Sequence, residues 1–138
     1  MIKELNLEII TPSKIVYSGK VKSVTVPGTL GSFQVLFNHA PLLSTFEIGR
    51  IKVEELNGTV TEFTTGGGSI EVLKNKILIL ADSVERREEI DVERARKSLQ
   101  RAKERLSASR KEKIDVERAE ASLQRAVNRL KFVGADKS

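Results

Sequence analysis

The sequence predicts an α+β protein: an N-terminal antiparallel β-sandwich over residues 1–84, followed by a C-terminal antiparallel two-helix hairpin over residues 85–138. Eight of the nine Gly, all three Pro and four of the five Phe lie before residue 85. After it, the strong helix formers Glu, Arg, Lys, Ala and Leu dominate. The net charge of +5 also lies there, with 16 basic and 11 acidic residues against 8 and 8 before it. This basic part is expected to meet an anionic partner.

The N-terminal part contains seven short segments in which apolar residues alternate with polar ones, as in strands that bury one face. Residues typical of turns separate the segments, and Asn57-Gly58 is the strongest hairpin signal in the chain. Val26-Pro27-Gly28 and Gly66-Gly67-Gly68 also predict turns. Seven or more strands can close a sandwich of ordinary size. The expected strands are 5–10, 20–26, 32–36, 49–56, 59–65, 69–73 and 76–81.

The C-terminal part contains an internal repeat with a period of 24. Residues 90–95 recur at 114–119, and residues 98–102 recur at 122–126. In each copy an Asp, Asp91 or Asp115, stands where a helix N-cap is wanted, and no Gly or Pro interrupts the residues that follow. The pattern predicts two helices, over about 91–108 and 115–131.

Each predicted helix has one narrow apolar seam in which Val, Ala and Leu recur at spacings of three and four. Small Ala side chains would let two antiparallel helices approach closely, and the short polar connector favours a helical hairpin. Because the other faces are charged, the hairpin buries little surface and is a candidate for a conformational switch. The seam residues are Val92, Ala95, Leu99, Ala102 and Leu106 in the first helix and Val116, Ala119, Leu123, Ala126 and Leu130 in the second.

The composition excludes several kinds of chemistry. With no Cys and one His, the chain cannot form a disulfide, a Cys-ligated metal centre or a thiol nucleophile, and we expect no metal site. The longest uncharged apolar runs, such as 77–81, are far shorter than the ~20 residues of a membrane-spanning helix, and residues 1–4 do not resemble a signal peptide. We expect a soluble chain that faces the cytoplasm.

Two motifs have both a functional and a structural interpretation. His39 could belong to a catalytic site, but no nucleophile motif can be placed around it, and a structural histidine at a turn is favoured. Gly66-Gly67-Gly68 could cradle a phosphate, but it lacks the Lys-Ser/Thr of a P-loop and opens no helix, so a tight turn or bulge is favoured.

The arginines of the hairpin are better candidates for ligand binding. If the hairpin folds about residue 110 or 111, Arg125 lies opposite residue 96 and Arg129 opposite residue 92, with Arg101 within two turns. This clusters three guanidinium groups and Asp91 near the open end of the hairpin. Guanidinium groups bind phosphates in a bidentate manner, and an Asp beside apolar residues could accept from a purine amino group. A charged helical face that is simply solvated and salt-bridged is the alternative.

Four segments, in their order and spacing, resemble the epsilon-subunit family of bacterial-type F1Fo ATP synthases over nearly the whole chain. The last of them matches the I/L-D-x-x-R-A motif through which some bacterial members bind ATP. The segments are Thr11-Pro12 with Val16-Tyr17, residues 31–36 leading to His39-Ala40-Pro41-Leu42-Leu43, residues 67–72, and Ile90-Asp91-Val92-Glu93-Arg94-Ala95.

The resemblance implies a sandwich of about ten strands and a helical hairpin, in a subunit without catalytic residues of its own. Such a subunit lies in the central stalk, touches the gamma subunit and the c-subunit ring, and couples rotation to ATP synthesis. Its hairpin can extend toward the alpha and beta subunits of the catalytic hexamer and inhibit ATP hydrolysis. The implied location is peripheral, on the cytoplasmic face of the cell membrane.

The resemblance also implies a regulatory ligand and its contacts. No cofactor is required, and ATP, with or without Mg²⁺, stabilises the folded hairpin. Asp91 would face the adenine, Ile90 and Ala95 would line its pocket, and the arginines would contact ribose and phosphates, while Arg94 would support the hairpin. The implied ATP-binding residues are Glu85, Ile90, Asp91, Ala95, Arg101, Arg125 and Arg129.

Two other functions are open to a chain of this composition. A basic helical nucleic-acid-binding module carried on a β-sandwich would use the same helices, but the β part offers no aromatic stacking platform and the helical charges are mixed. We therefore expect no nucleic-acid partner. A small hydrolase or isomerase would need a polar triad around His39.

Overall fold

The computed structural model describes residues 3–108 and 113–134. The chain divides into two compact units, Met1–Arg86 and Arg87–Ser138. The first unit contains nine strands, and the second contains a 3₁₀ turn, Arg87–Glu89, and two helices. The predicted α+β class is confirmed.

The strands of the first unit form one sheet that folds over on itself. β1 pairs with β2 in antiparallel fashion and with β8 in parallel. The sequence predicts a wholly antiparallel sandwich, and the parallel β1–β8 pair departs from this prediction. The strand order is β1-β8-β7-β4-β2-β5-β6-β9, and β3 pairs with β2. Because β1 is hydrogen-bonded to β2 as well as to β8, it links two strands that are not neighbours in this order. The strands are β1 (Leu5–Ile10), β2 (Ile15–Gly28), β3 (Gly31–Val35), β4 (Leu42–Phe46), β5 (Gly49–Glu55), β6 (Val60–Thr65), β7 (Gly68–Leu73), β8 (Lys76–Ala81) and β9 (Val84–Glu85).

The core of this unit comes from the inward positions of alternating strands. In β1, Leu5, Leu7 and Ile9 are buried while the residues between them are exposed, which is the period of two that predicts a half-buried strand. Phe63 in β6 is fully buried, and the Tyr17 ring meets it edge to face with centroids 6.4 Å apart. The buried cluster lies entirely within the first unit, which therefore has a core of its own.

Turn chemistry explains two of the connections. Asn57-Gly58 joins β5 to β6 as predicted: Gly58 has a φ of +88°, and Thr59 N donates to Asn57 Oδ1 at 2.9 Å. The turn predicted at Val26-Pro27-Gly28 is wrong. β2 continues through these residues, and Gly28 pairs with Gly31 across a tight turn at Thr29 and Leu30.

Three strands differ from the sequence prediction. β2 begins at Ile15 rather than at residue 20, because its first half pairs with β1 although little of it is buried; the Ile15 side chain is 62% exposed. β4 and β9 are absent from the prediction. In β4 only the last residue, Phe46, is fully buried, and β9 is only two residues long. Neither strand therefore has a clear alternation of buried and exposed residues.

The helices are α1, Val92–Ser107, and α2, Lys113–Val133. Asp91 is the N-cap of α1, as predicted. For the second copy of the repeat this prediction is wrong, because α2 begins at Lys113 and Asp115 falls within its first turn. The predicted fold of the hairpin at residues 110–111 lies outside the described residues.

The two helices pack against each other through the smallest residues of the predicted seam. Ala95 and Ala102 in α1 and Ala119 and Ala126 in α2 are each less than 5% exposed. Leu130 is also buried, whereas the other Val and Leu of the seam are only partly buried. The alanines therefore mark the closest approach of the helices, and the seam is as thin as the sequence predicts.

Candidate nucleotide site at the open end of the hairpin

The Arg87 side chain joins the two ends of the helical unit. Arg87 Nε donates to the carbonyl oxygen of Phe132 at 2.8 Å, and the guanidinium carbon lies 4.7 Å from the centroid of the Phe132 ring. Arg87 precedes α1, while Phe132 belongs to the last turn of α2. The helices therefore run antiparallel, in a register that agrees with the predicted one to within a helical turn. We call the region of residues 87–95 and 125–134 the open end.

Asp91 has a structural task at the open end. Its Oδ1 accepts a hydrogen bond from Arg94 N at 3.0 Å, and its carbonyl oxygen accepts the first helical bond from Ala95 N at 3.0 Å. An N-cap carboxylate satisfies one of the unpaired N–H groups at a helix start and lies at the positive end of the helix dipole. The side chain is exposed, so a ligand can reach it.

The predicted lining residues Ile90 and Ala95 are both buried, at 8% and 4% exposure. Ile90 N also donates to the carbonyl oxygen of Arg87 at 3.3 Å. Both side chains are thus largely withdrawn from solvent. An adenine ring could touch them only through the small part of each side chain that is still exposed.

The arginines of the two repeats are held in the same way. Arg101 Nη2 donates to Ser98 Oγ at 3.3 Å, and Arg125 Nη2 donates to Ser122 Oγ at 3.2 Å. These bonds use a minority of the five N–H donors that each guanidinium carries. Arg101 is exposed, while Arg125 is half-buried.

Six of the seven predicted contacts belong to the helical unit. Arg129, half-buried, follows Arg125 by one turn on α2 and lies one turn before Phe132, at the open end. Arg101 lies six residues after Ala95, about 9 Å farther along α1 at a rise of 1.5 Å per residue. Glu85 belongs to β9 in the other unit, where it pairs with Thr64. The open end therefore holds Ile90, Asp91, Ala95, Arg125 and Arg129, with Arg101 at its margin.

His39 lies by a separate feature, a shallow groove of about 360 Å³ on the β unit. Its ring Nδ1 is 2.7 Å from the carbonyl oxygen of Ala40, and its backbone N donates to the carbonyl oxygen of Leu36. The described residues that line the groove include Ser44 but no carboxylate. His39 thus lacks the acid partner of a triad there, which supports the structural interpretation.

The loop that carries His39 is fixed by an amide pair. Asn38, which has a φ of +62°, forms two hydrogen bonds with Asn75. Asn38 N donates to Asn75 Oδ1 at 2.7 Å, and Asn75 Nδ2 donates to Asn38 Oδ1 at 3.2 Å. Within the described parts of the chain, no cluster of three or more His, Asp or Glu could hold a metal ion.

Gly66-Gly67-Gly68 forms a close backbone crossing. Asp82 N donates to the carbonyl oxygen of Gly67 at 3.0 Å, and Gly67 has a φ of +101°. At Gly68, a Cβ would collide with the carbonyl oxygen of Leu80. The glycines serve the turn into β7, in agreement with the structural interpretation.

Two family models together match almost the whole chain, and they meet within one residue of the boundary between the two units. The ATP synthase, Delta/Epsilon chain, beta-sandwich domain matches residues 4–87, and the ATP synthase, Delta/Epsilon chain, long alpha-helix domain matches residues 88–134. The chain belongs to the ATP synthase delta/epsilon family. The resemblance deduced from its motifs is confirmed.

Curated relatives in the delta/epsilon family support this membership. An ATP synthase epsilon chain of Desulfatibacillum aliphaticivorans is 43% identical over 108 residues, covering 78% of this chain and 77% of the relative. One from Nitratidesulfovibrio vulgaris (strain DP4) is 47% identical over 107 residues, covering 78% and 79%.

Solved structures share the fold of this delta/epsilon chain. One chain in the cryo-EM structure of the Euglena gracilis mitochondrial ATP synthase matches with a TM-score of 0.79 and 21% identity, over 98% of this chain and 82% of that one. One from the Tetrahymena thermophila mitochondrial ATP synthase central stalk and c-ring matches with a TM-score of 0.60 and 16% identity, over 94% and 96%. Among the described residues, no helix is long and apolar enough to cross a membrane.

Proposed function

We propose that this chain is the epsilon subunit of the central stalk of a bacterial-type F1Fo ATP synthase, peripheral to the cytoplasmic face of the cell membrane. The observation that carries the proposal is the match of both units to the delta/epsilon domains, at 40% identity or more to curated epsilon chains. The subunit performs no chemistry. It couples rotation to ATP synthesis through contacts of its β unit with the gamma subunit and the c-subunit ring.

The helical unit regulates ATP hydrolysis by leaving its folded state. Four of the five buried residues of its seam are alanines, whose burial stabilises the pair much less than burial of leucines would. A hairpin held this weakly can open at a modest cost in free energy. When extended, it reaches the alpha and beta subunits of the catalytic hexamer and impedes hydrolysis.

ATP favours the folded hairpin by binding at its open end. The antiparallel arrangement, which brings the Asp91 end of α1 toward the Arg129 end of α2, supports this assignment. Asp91 can accept from an adenine amino group, and Arg125 and Arg129 can bind phosphates. A ligand stabilises the state to which it binds more tightly. Plentiful ATP therefore disfavours the inhibitory form. Glu85 and Arg101 are secondary contacts in this proposal.

Calorimetric titration of the full chain with ATP, with and without Mg²⁺, tests the proposed site. Arg129→Gln should weaken binding about tenfold or more, because it removes a charge-assisted contact to phosphate. Arg105→Gln is the matched control, because this substitution removes the same charge at a different place. Arg105 is exposed in the last turn of α1, away from the open end. Equal losses in both variants, or no binding by the unaltered chain at millimolar ATP, would contradict the site.

A further inference from the structure

The Arg87 side chain bonds from the turn before α1 to the last turn of α2. We propose that Arg87 and Phe132 form a latch, which closes the open end of the hairpin and sets how readily α2 separates from α1. The latch itself is a property of the helical unit. Its regulatory consequence rests on the function proposed above.

The backbone of α2 supplies the first half of the latch. A helix leaves its last four carbonyl groups without helical partners, and these groups form the negative end of the helix dipole. In α2, the carbonyl oxygen of Lys131 accepts from Gly134 N at 3.0 Å, where Gly134 has a φ of +75°. The carbonyl oxygen of Phe132 instead accepts from the cationic Arg87. Opening the hairpin would return this carbonyl to water and would take its acceptor from the Arg87 guanidinium, whose residue is already exposed.

The aromatic ring of Phe132 supplies the second half. Phe132 is 2% exposed, and it is the one Phe of the chain that lies after residue 84. The Arg87 guanidinium covers its face at 4.7 Å, which is within the range of a cation–π contact. A planar guanidinium can stack on the ring and donate from Nε at the same time, whereas a lysine ammonium has no planar face.

The latch also fixes the start of α1. The carbonyl oxygen of Arg87 accepts from Ile90 N at 3.3 Å. Arg87 therefore contacts α2 through its side chain and closes the turn before Asp91 through its backbone. On the other side, Phe132 follows Arg129 by about one helical turn. Arg87 is therefore a positioning residue: it keeps the Asp91 end of α1 near the Arg129 end of α2.

The preceding residue provides a matched control. Arg86 belongs to the β unit, and its guanidinium carbon lies 5.5 Å from the centroid of the Phe63 ring. Arg86→Leu and Arg87→Leu thus remove the same charge and the same kind of ring contact, one residue apart. The second breaks the Arg87–Phe132 contact, whereas the first leaves this contact in place.

Hydrogen exchange of the full chain, measured by NMR without nucleotide, tests the latch directly. Arg87→Leu should raise the exchange rates of the amides at the end of α2, from Arg129 to Phe132, by about tenfold, because a charge-assisted hydrogen bond and a ring contact are lost together. Arg86→Leu should leave these rates unchanged, and Arg87→Lys should restore them only in part. Equal rates in Arg87→Leu and the unaltered chain, or an equal rise in Arg86→Leu, would overturn the latch.

ATP titration of the same variants separates the latch from the ATP site. If both are right, Arg87→Leu weakens ATP binding by no more than the factor by which it favours opening, while Arg129→Gln weakens ATP binding beyond its own effect on exchange. If the unaltered chain binds no ATP, the proposed function fails, and the exchange result alone still decides the latch. A loss of ATP binding in Arg87→Leu without any change in exchange would mean that Arg87 contacts the ligand, and would overturn the latch.

Discussion

Asp91 carries two roles, as the N-cap of α1 and as a proposed ligand contact, and substitution can separate them. Asp91→Ala removes the 3.0 Å bond to Arg94 N and leaves this N–H without its cap. Loss of an N-cap costs about 1 kcal/mol, which favours opening of the helix start about fivefold. Asp91→Ser keeps a cap hydroxyl of similar quality but removes the carboxylate. It should therefore retain the stability and lose the ligand contact.

The assay pairs hydrogen exchange of the amides in the first two turns of α1 with ATP titration of each variant. We expect exchange to rise about fivefold in Asp91→Ala and to stay near the original rate in Asp91→Ser, while both weaken ATP binding. Glu93→Ala is the control, since Glu93 lies exposed in the same turn and removes a negative charge without removing the cap. If the α1 amides exchanged as fast in Asp91→Ser as in Asp91→Ala, the cap would not be the source of stability. The same would follow if they exchanged as fast in Glu93→Ala as in Asp91→Ala. If Asp91→Ser bound ATP normally, Asp91 would be a cap alone.

Two further predictions concern the β unit. Gly68→Ala should lower the free energy of unfolding by about 1–3 kcal/mol, because its Cβ would collide with the carbonyl oxygen of Leu80, whereas a Cβ at Gly19 would meet nothing closer than 3.6 Å. Denaturant unfolding of both alanine variants checks this, and equal stabilities would refute the crowding. Burial, with the charge of Glu55 as a smaller cause, raises the pKa of Tyr17 above 10.0. The raised pKa means that folding favours the neutral phenol. Its contribution to the free energy of unfolding is therefore complete below pH 10 and is lost as the pH rises through the folded-state pKa. Tyr17→Phe should unfold with a smaller loss of stability above pH 10 than the unaltered chain; parallel pH curves would contradict the assignment.

The sequence predicts those strands of the β unit whose alternation reflects burial on one face. β1, β7 and β8 follow the period of two closely, and their predicted bounds differ from the observed ones by no more than one residue. The start of β2 and all of β4 were not predicted, because pairing with neighbouring strands defines them more than burial does. Pro27 misled the prediction as well: it lies within β2, where its carbonyl oxygen accepts from Glu47 N at 2.8 Å. Such pairings are set by distant parts of the chain.

The candidate site was predictable where it depends on local chemistry. The Asp91 cap follows from an Asp before an uninterrupted helical segment, and the antiparallel register brings Arg129 to the open end. The same reasoning failed for Asp115, because α2 starts earlier than the repeat suggests. The Arg87–Phe132 contact was missed, although an isolated Phe at the end of a charged helix, opposite an Arg, was a usable signal. Its geometry depends on side-chain conformations that spacing alone does not determine.

The most direct test of the account is the ATP hydrolysis rate of a reconstituted ATP synthase carrying either the full chain or residues 1–86 alone. The first unit has its own buried core, so the shortened chain retains what folding it requires. We predict that the shortened chain raises hydrolysis at low ATP, where the full hairpin is open and inhibitory, and makes little difference at high ATP. Proton pumping coupled to hydrolysis should persist in both. Equal hydrolysis rates at low ATP would contradict a regulatory role for the helical unit.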